Sequence, residues 1–363
     1  MLQSSSFASS LLLGLCHSSP LQNVDMTHTD QLEAVVTNAR SELNVLSGIM
    51  AQRKVRAKVP APFACVEDSA SAQAILDAHD TFIFDCDGVL WSGGLGLLPG
   101  AAETLAELAR RGKRLIFVTN NSARSREAYA RKFAGLGLTS ITADQIVPAS
   151  FVAARWLRSA KPEIERAFVI GEDGVEEELR AAGIEVVRAE VDGFSEAAFT
   201  AAEPDPRIGA VVVGADSAFS FNALAQASLC LERLPGCLFI ATNADEYDVV
   251  GGRRLPGAGC LVAAVQCACG RAPDAICGKP SADLARYLLD VSAPEPLDPA
   301  RTLVVGDRMD TDVALARTMG ASSLLVLSGV ARASEVAKMR AEQPGCPKAV
   351  ASHLGALLEP QTG

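Results

Sequence analysis

Short apolar runs in this 363-residue chain end abruptly in clusters of polar residues. Phe82-Ile83-Phe84 leads into Asp85-Cys86-Asp87-Gly88-Val89. Leu115-Ile116-Phe117-Val118 leads into Thr119-Asn120-Asn121-Ser122. Leu303-Val304-Val305 leads into Gly306-Asp307-Arg308-Met309-Asp310-Thr311-Asp312, and a shorter apolar stretch near Ile276 precedes Gly278-Lys279-Pro280-Ser281. Such runs read as buried strands of an α/β protein. In an open parallel sheet the carboxyl ends of the strands converge on one crevice, where ligands bind. The pattern therefore brings two aspartates, a hydroxyl-and-amide loop, a lysine and a second carboxylate set to one place.

The first cluster is the most telling. Side chains alternate along a strand, so Asp85 and Asp87 share a face while Cys86 points away and reads as packing. Two adjacent carboxylates are costly unless a cation or a reaction uses them. The spacing suits an aspartate nucleophile followed by an acid/base aspartate, and Gly88 lets the backbone turn closely beneath a ligand. Two acidic residues in a strand-end turn that bind nothing are the plain alternative. Lys279 taken singly reads as a solvated surface lysine; its position in the ordered set is what singles it out.

Length suggests two domains. A net charge of −10 argues against a nucleic-acid partner, and no apolar run approaches the length of a membrane span. None of the ten cysteines forms a Cys-x-x-Cys pair, which disfavours a zinc site, and the four histidines lie outside the polar clusters. Histidine-based phosphatase chemistry is disfavoured accordingly.

Residues 1–66 differ from the rest. The first 24 carry no Asp, Glu, Lys or Arg, and a basic patch at Arg53-Lys54-Val55-Arg56-Ala57-Lys58 precedes Pro60 and Pro62. This segment reads as a disordered extension, either a transit peptide or untargeted. Helices are expected over 101–111, 127–133, 151–157, 174–182, 221–231 and 259–269. Strands are expected at 115–119, 167–170, 210–213 and 238–242. Ser292–Asp298 reads as a surface loop.

The four clusters, in this order, resemble the motifs of the haloacid dehalogenase superfamily of phosphohydrolases. The match spans roughly Thr81 to Leu327. Phe84-Asp85-Cys86-Asp87-Gly88-Val89-Leu90-Trp91, Val118-Thr119-Asn120-Asn121-Ser122, Val169-Ile170-Gly171-Glu172-Asp173-Gly174 and Gly306-Asp307-Arg308-Met309-Asp310-Thr311-Asp312 are most similar to the branch with a large inserted cap, which includes the plant and algal phosphoglycolate phosphatases. The resemblance implies a Rossmann-like doubly wound parallel sheet core, residues 67–161 and 273–363, with an inserted α/β cap at 162–272. It implies Asp85 as nucleophile, Asp87 as acid/base and Lys279 as the catalytic cation. Gly88, Thr119 and Asn120 would hold phosphate, and Mg²⁺ would be bound by Asp85, the Asp87 carbonyl and Asp307. Asp312 would partner the lysine or metal-bound water. Asn121 and Ser122 are expected to cap the next helix, and Arg308 to pair with Asp310 or with the cap. The cap loop Gly214–Asn222 resembles the loop that approaches the core, which makes Asp216 and Phe219 candidates for specificity. Many animal members have His where this chain has Ala218. The implied reaction is hydrolysis of a small phosphorylated metabolite, 2-phosphoglycolate first, in a chloroplast stroma as photorespiratory salvage. Pyridoxal phosphate or broad nitrophenyl phosphate hydrolysis, a phosphotransferase, a non-catalytic binding protein and a cytoplasmic location stay open. A homodimer through the cap is an assembly that the resemblance allows.

Overall fold

A computed structural model describes residues 64–66, 68–92, 96–189, 194–250, 253–290, 296–339 and 345–358. Most of the amino-terminal extension and most of the loop at 292–298 lie outside the described residues, but the extension is shorter than the expected 1–66: Ala64–Cys65 already pair in parallel with Ala349–Val350, and Val66 N–H donates to Val350 O. The described strands are β1 (Ala64–Cys65), β2 (Thr81–Phe84), β3 (Arg114–Thr119), β4 (Ile146–Pro148), β5 (Arg166–Ile170), β6 (Glu185–Val187) and β7 (Ile208–Val213). They continue with β8 (Leu238–Ala241), β9 (Tyr247–Val250), β10 (Arg253–Pro256), β11 (Ala275–Ile276), β12 (Thr302–Gly306), β13 (Ser322–Val326) and β14 (Ala349–Ala351).

Two parallel sheets organise the chain. The larger has the order β1-β14-β13-β12-β2-β3-β4, with every neighbour parallel. The smaller, β11-β8-β7-β5-β6, is parallel throughout. The chain leaves the large sheet after β4, builds all five strands of the small one, and returns after β11. The edge strand Ala275–Ile276 therefore still belongs to the small sheet. An antiparallel hairpin, β9–β10, projects between β8 and the helix Ala258–Cys269.

Register explains why the polar clusters meet. Phe84 lies opposite both Val305 and Phe117. Asp85, Gly306-Asp307 and Thr119 therefore leave the sheet at the same edge. The strands are buried on both faces, as their unbroken apolar sequences require: Phe82, Ile83, Phe84, Phe117 and Val305 are inaccessible to solvent. Beneath the first cluster, Phe84, Phe117, Phe133 and Trp91 form an aromatic chain with successive ring centroids 5.7, 4.8 and 5.0 Å apart. Phe168, Val211, Val213 and Phe239 centre a separate core in the small sheet.

The expected helices form at Ala101–Arg110, Arg126–Gly135, Ala149–Ala160, Asp173–Ala181, Phe221–Arg233 and Ala258–Cys269. The helix Asp173–Ala181 docks tightly on the large layer: a Cβ at Gly174 would overlap the Arg124 backbone, and its N–H donates to Ala123 O. Glu178 is buried there and accepts the Arg126 N–H at 2.6 Å.

Candidate active site

The Asp85 N–H still bonds to Val305 O at 2.8 Å, so its side chain is aimed by the sheet itself. The chain then turns at Gly88, whose φ of 84° disfavours any residue with a Cβ; a Cβ there would also overlap the Asp307 carboxylate. Lys279 reaches in from the loop after β11. Its Nζ donates to Asp85 Oδ1 at 2.5 Å and to Asp312 Oδ1 at 2.7 Å. Asp312 accepts the backbone N–H groups of Asp307 and Arg308 on its other oxygen, at 3.2 and 3.1 Å. Asp307 accepts the Val330 N–H at 2.7 Å. Asp85, Lys279, Asp307 and Asp312 are each less than 9% exposed, whereas Asp87 faces solvent.

Three buried carboxylates thus face one ammonium. Burial drives Asp85 well above the usual carboxylate range, and Asp312 and Asp307 add to this against the pull of Lys279. Burial raises Asp307 to about 7, with Asp312 pushing the same way. Burial opposes the charge on Lys279, but Asp312 and Asp85 outweigh it and raise its pKa. Ionised together, the three carboxylates would carry more negative charge than one lysine balances, which is why burial and mutual repulsion push Asp85 and Asp307 up. Oxygens of Asp85, Asp307 and Asp312 lie within 4.8 Å of one another. Hard oxygen donors at this spacing, with charge left uncompensated, fit a divalent cation.

The second cluster is used differently from a simple anion cradle. Thr119 Oγ1 accepts the Asn121 N–H at 3.1 Å. The Asn120 amide donates to the Asp245 carboxylate at 3.0 and 3.1 Å and to Lys279 O at 3.1 Å, while its Oδ1 accepts Lys279 N at 2.7 Å. That side chain ties the loop to both the small layer and the Lys279 loop. Asn121 and Ser122 do not cap the following helix. Its cap is Ser125, whose Oγ accepts Ala128 N at 3.2 Å, because Ser122 stands too far ahead of the first turn. Ser122 instead accepts from Thr242 Oγ1 at 3.3 Å. Arg308, left between two partners, takes both. It pairs with Asp310 at 2.7 Å and donates to Tyr247 O at 3.1 Å.

A cleft of about 430 Å³ opens beside the cluster, lined by Asp245, Tyr247, Lys279, Arg308 and Thr311 among others. Asp216 and Phe219 do not line it. Asp216 accepts the Ala218 N–H within its own loop, and Phe219 packs against the small layer's core. Sequence reading did not place Asp245, Tyr247 or Trp91 at the site. Trp91 is buried and donates its indole N–H to Asp87 Oδ1 at 2.9 Å.

A parallel sheet that gathers four polar clusters at one edge, with a second α/β layer inserted ahead of the lysine, defines a capped Rossmann-like hydrolase. The haloacid dehalogenase-like hydrolase model matches residues 82–185, and a HAD-hydrolase-like model matches 276–357. The chain is 41% identical over 273 residues to phosphoglycolate phosphatase 2 of Arabidopsis thaliana, covering 74% of this chain and 89% of that protein. It is 43% identical over 274 residues to glycerol-3-phosphate phosphatase of Gallus gallus, covering 74% and 86%. A glycerol phosphate phosphatase from Mycobacterium tuberculosis, solved in complex with magnesium, superposes with a TM-score of 0.63 at 30% identity, covering 78% of each chain. The chain belongs to the haloacid dehalogenase-like hydrolase family and is an enzyme of its phosphatase branch. No helix of the described residues is long and apolar enough to cross a membrane.

Proposed function

We propose that this protein hydrolyses small phosphate monoesters through an aspartyl phosphate on Asp85, with 2-phosphoglycolate the preferred substrate. The observation that carries the reaction is the buried bridge from Lys279 to both Asp85 and Asp312. It fixes the Asp85 carboxylate at the strand end. Asp85 attacks phosphorus as the bond to the leaving oxygen breaks, and Asp87 gives that oxygen its proton. A water then attacks the acyl phosphate, Asp87 takes its proton, and Asp85 is restored. Lys279 offsets charge gathering on the phosphoryl oxygens and on Asp85. Gly88, Thr119 and the Asn120 backbone border the phosphoryl position in this reading. Mg²⁺, held by Asp85, the Asp87 carbonyl and Asp307, would neutralise phosphoryl charge and keep the carboxylates ionised. Asp312 orients Lys279 and the turn at Asp307.

The cap, nominally 162–272, selects the substrate, since the core residues meet only phosphate and cation. The preference for phosphoglycolate is supported by the plant relative, and Ala218 in place of the animal histidine weighs against pyridoxal phosphate. The serine-rich start of residues 1–24, free of Asp and Glu, supports a plastid location, although it lacks early arginines. The test compares kcat/KM for 2-phosphoglycolate, glycerol phosphate, pyridoxal phosphate and nitrophenyl phosphate. Phosphoglycolate is expected to lead the physiological esters by at least about tenfold, about 1.4 kcal/mol. Glycerol phosphate in the lead would overturn the substrate and leave the chemistry standing.

A further inference from the structure

The side-chain bond that holds Asp87 comes from a residue outside the four clusters. Cys86 O receives the N–H groups of Leu90 and Trp91, and Gly88 N donates to Trp91 O at 2.7 Å. This tight loop folds the indole back so that Trp91 Nε1 meets Asp87 Oδ1 at 2.9 Å. The ring is 1% exposed and wedged edge-on against Phe133 at 5.0 Å. On its other contact Lys132, half-buried on the helix Arg126–Gly135, places Nζ 3.7 Å from the ring centroid. An indole N–H donates only, and a cation over the ring draws electron density toward itself and strengthens that donation.

We infer that Trp91, polarised by Lys132, is a positioning residue for Asp87. The indole fixes Oδ1 of an otherwise exposed carboxyl and leaves Oδ2 to carry the proton passed to the leaving oxygen. The Asp85 O–P bond forms, the phosphorus–leaving-oxygen bond breaks, and the proton on Asp87 Oδ2 moves to that oxygen. This rests on the proposed role of Asp87 as proton donor. Without the tether the carboxyl turns freely about its side-chain torsions, and the donor is misplaced for much of the time. The effect is specific to leaving groups that need a proton. An alkoxide needs one; nitrophenolate leaves without it.

The experiment measures kcat/KM for an alkyl phosphate, glycerol phosphate, and for nitrophenyl phosphate. This parameter reports the steps up to release of the leaving group and is insensitive to the later hydrolysis of the acyl phosphate. Trp91→Phe keeps the ring and deletes the donor. The alkyl-to-aryl ratio of kcat/KM is expected to fall about tenfold. Lys132→Met, which keeps both ring and N–H, should lower the same ratio about threefold and stands in if the Trp91 variant does not fold. Asp87→Asn is the reference and should lower the ratio at least a hundredfold, the scale of general acid catalysis. Equal losses on both esters in Trp91→Phe, or an unchanged ratio in Lys132→Met alone if the first variant is unfolded, overturn the inference while leaving the role of Asp87 intact. An unchanged ratio in Asp87→Asn removes the proton-donor role and the inference with it.

Discussion

Replacing Lys279 by Met is the sharpest test of the charge arrangement. The side chain is 5% exposed, and its ammonium touches Asp85 and Asp312 at 2.5 and 2.7 Å. Methionine fills similar space but leaves three buried carboxylates without their cation. Deleting one partner of a buried pair costs about 3–5 kcal/mol, because the remaining charge stays desolvated. Lys279 is held above its ordinary 10.5, so its contribution is fully present below that value and is lost only as pH rises through the folded pKa. Urea unfolding at pH 7 in excess chelator therefore measures the whole effect, read as a shift in midpoint at constant slope. Arg301→Gln, which breaks an ion pair with Asp80 at the surface, is the control and should lose far less. Adding Asp312→Asn to Lys279→Met should return part of the stability by removing one orphaned charge, and none of the activity. If Lys279→Met is no less stable than the control, the carboxylates are not held as charges by this lysine, and the argument for the cation beside them fails too.

Other outcomes follow from the same geometry. A Cβ at Gly329 would overlap the Asp307 carboxylate, so Gly329→Ala should cost about 1–3 kcal/mol in overpacking. It should also raise the Mg²⁺ concentration for half-maximal activity, read by titration. Exhaustive chelation should abolish turnover and Mg²⁺ restore it, while Ca²⁺ should inhibit through its looser coordination; full activity in chelator would contradict this. The Arg301 hydrogen bond lowers Asp80 from its ordinary 3.8 to about 2, so the pair's stabilisation is present above 3.8 and fades as pH falls through about 2. Thermal unfolding of Arg301→Gln should accordingly depend less on pH within that window than unfolding of the parent chain.

What could be seen in the sequence follows from what is local. Asp85, Thr119 and Asp307 each end a run of apolar residues, and strand periodicity with parallel order suffices to bring them together. Lys279 was legible only through its place in that order, since nothing in Gly278-Lys279-Pro280 announces burial. Contacts set by how the two layers dock were not legible. The engagement of Asn120 by Asp245 spans 125 residues, and the seating of Gly174 against Arg124 is likewise distant in sequence. The same docking puts Asp245 and Tyr247, rather than Asp216 and Phe219, along the cleft. Ser122 read as a helix cap because its residue type favours one, yet a tertiary hydroxyl partner at Thr242 claimed it. Trp91 closes the run quoted from the first cluster, and only the fold of a six-residue loop turns its one polar atom toward Asp87.

The order of strands in the large sheet has a consequence for how the chain is made. Central strand β2 pairs on one side with β3, about thirty residues on, but on the other with β12, where Thr81 lies opposite Thr302. Every strand of the small sheet lies between these partners, from Arg166 to Ile276. A chain emerging from the ribosome therefore holds a complete cap sheet while β2 still has an open edge, its N–H and C=O groups unpaired. Contacts this distant in sequence slow folding, and an unpaired central strand is a template for aggregation. A product that stops short of residue 302 would contain all the strands of the cap and none of the Asp85–Asp307 chemistry, while displaying the strand on which that chemistry depends.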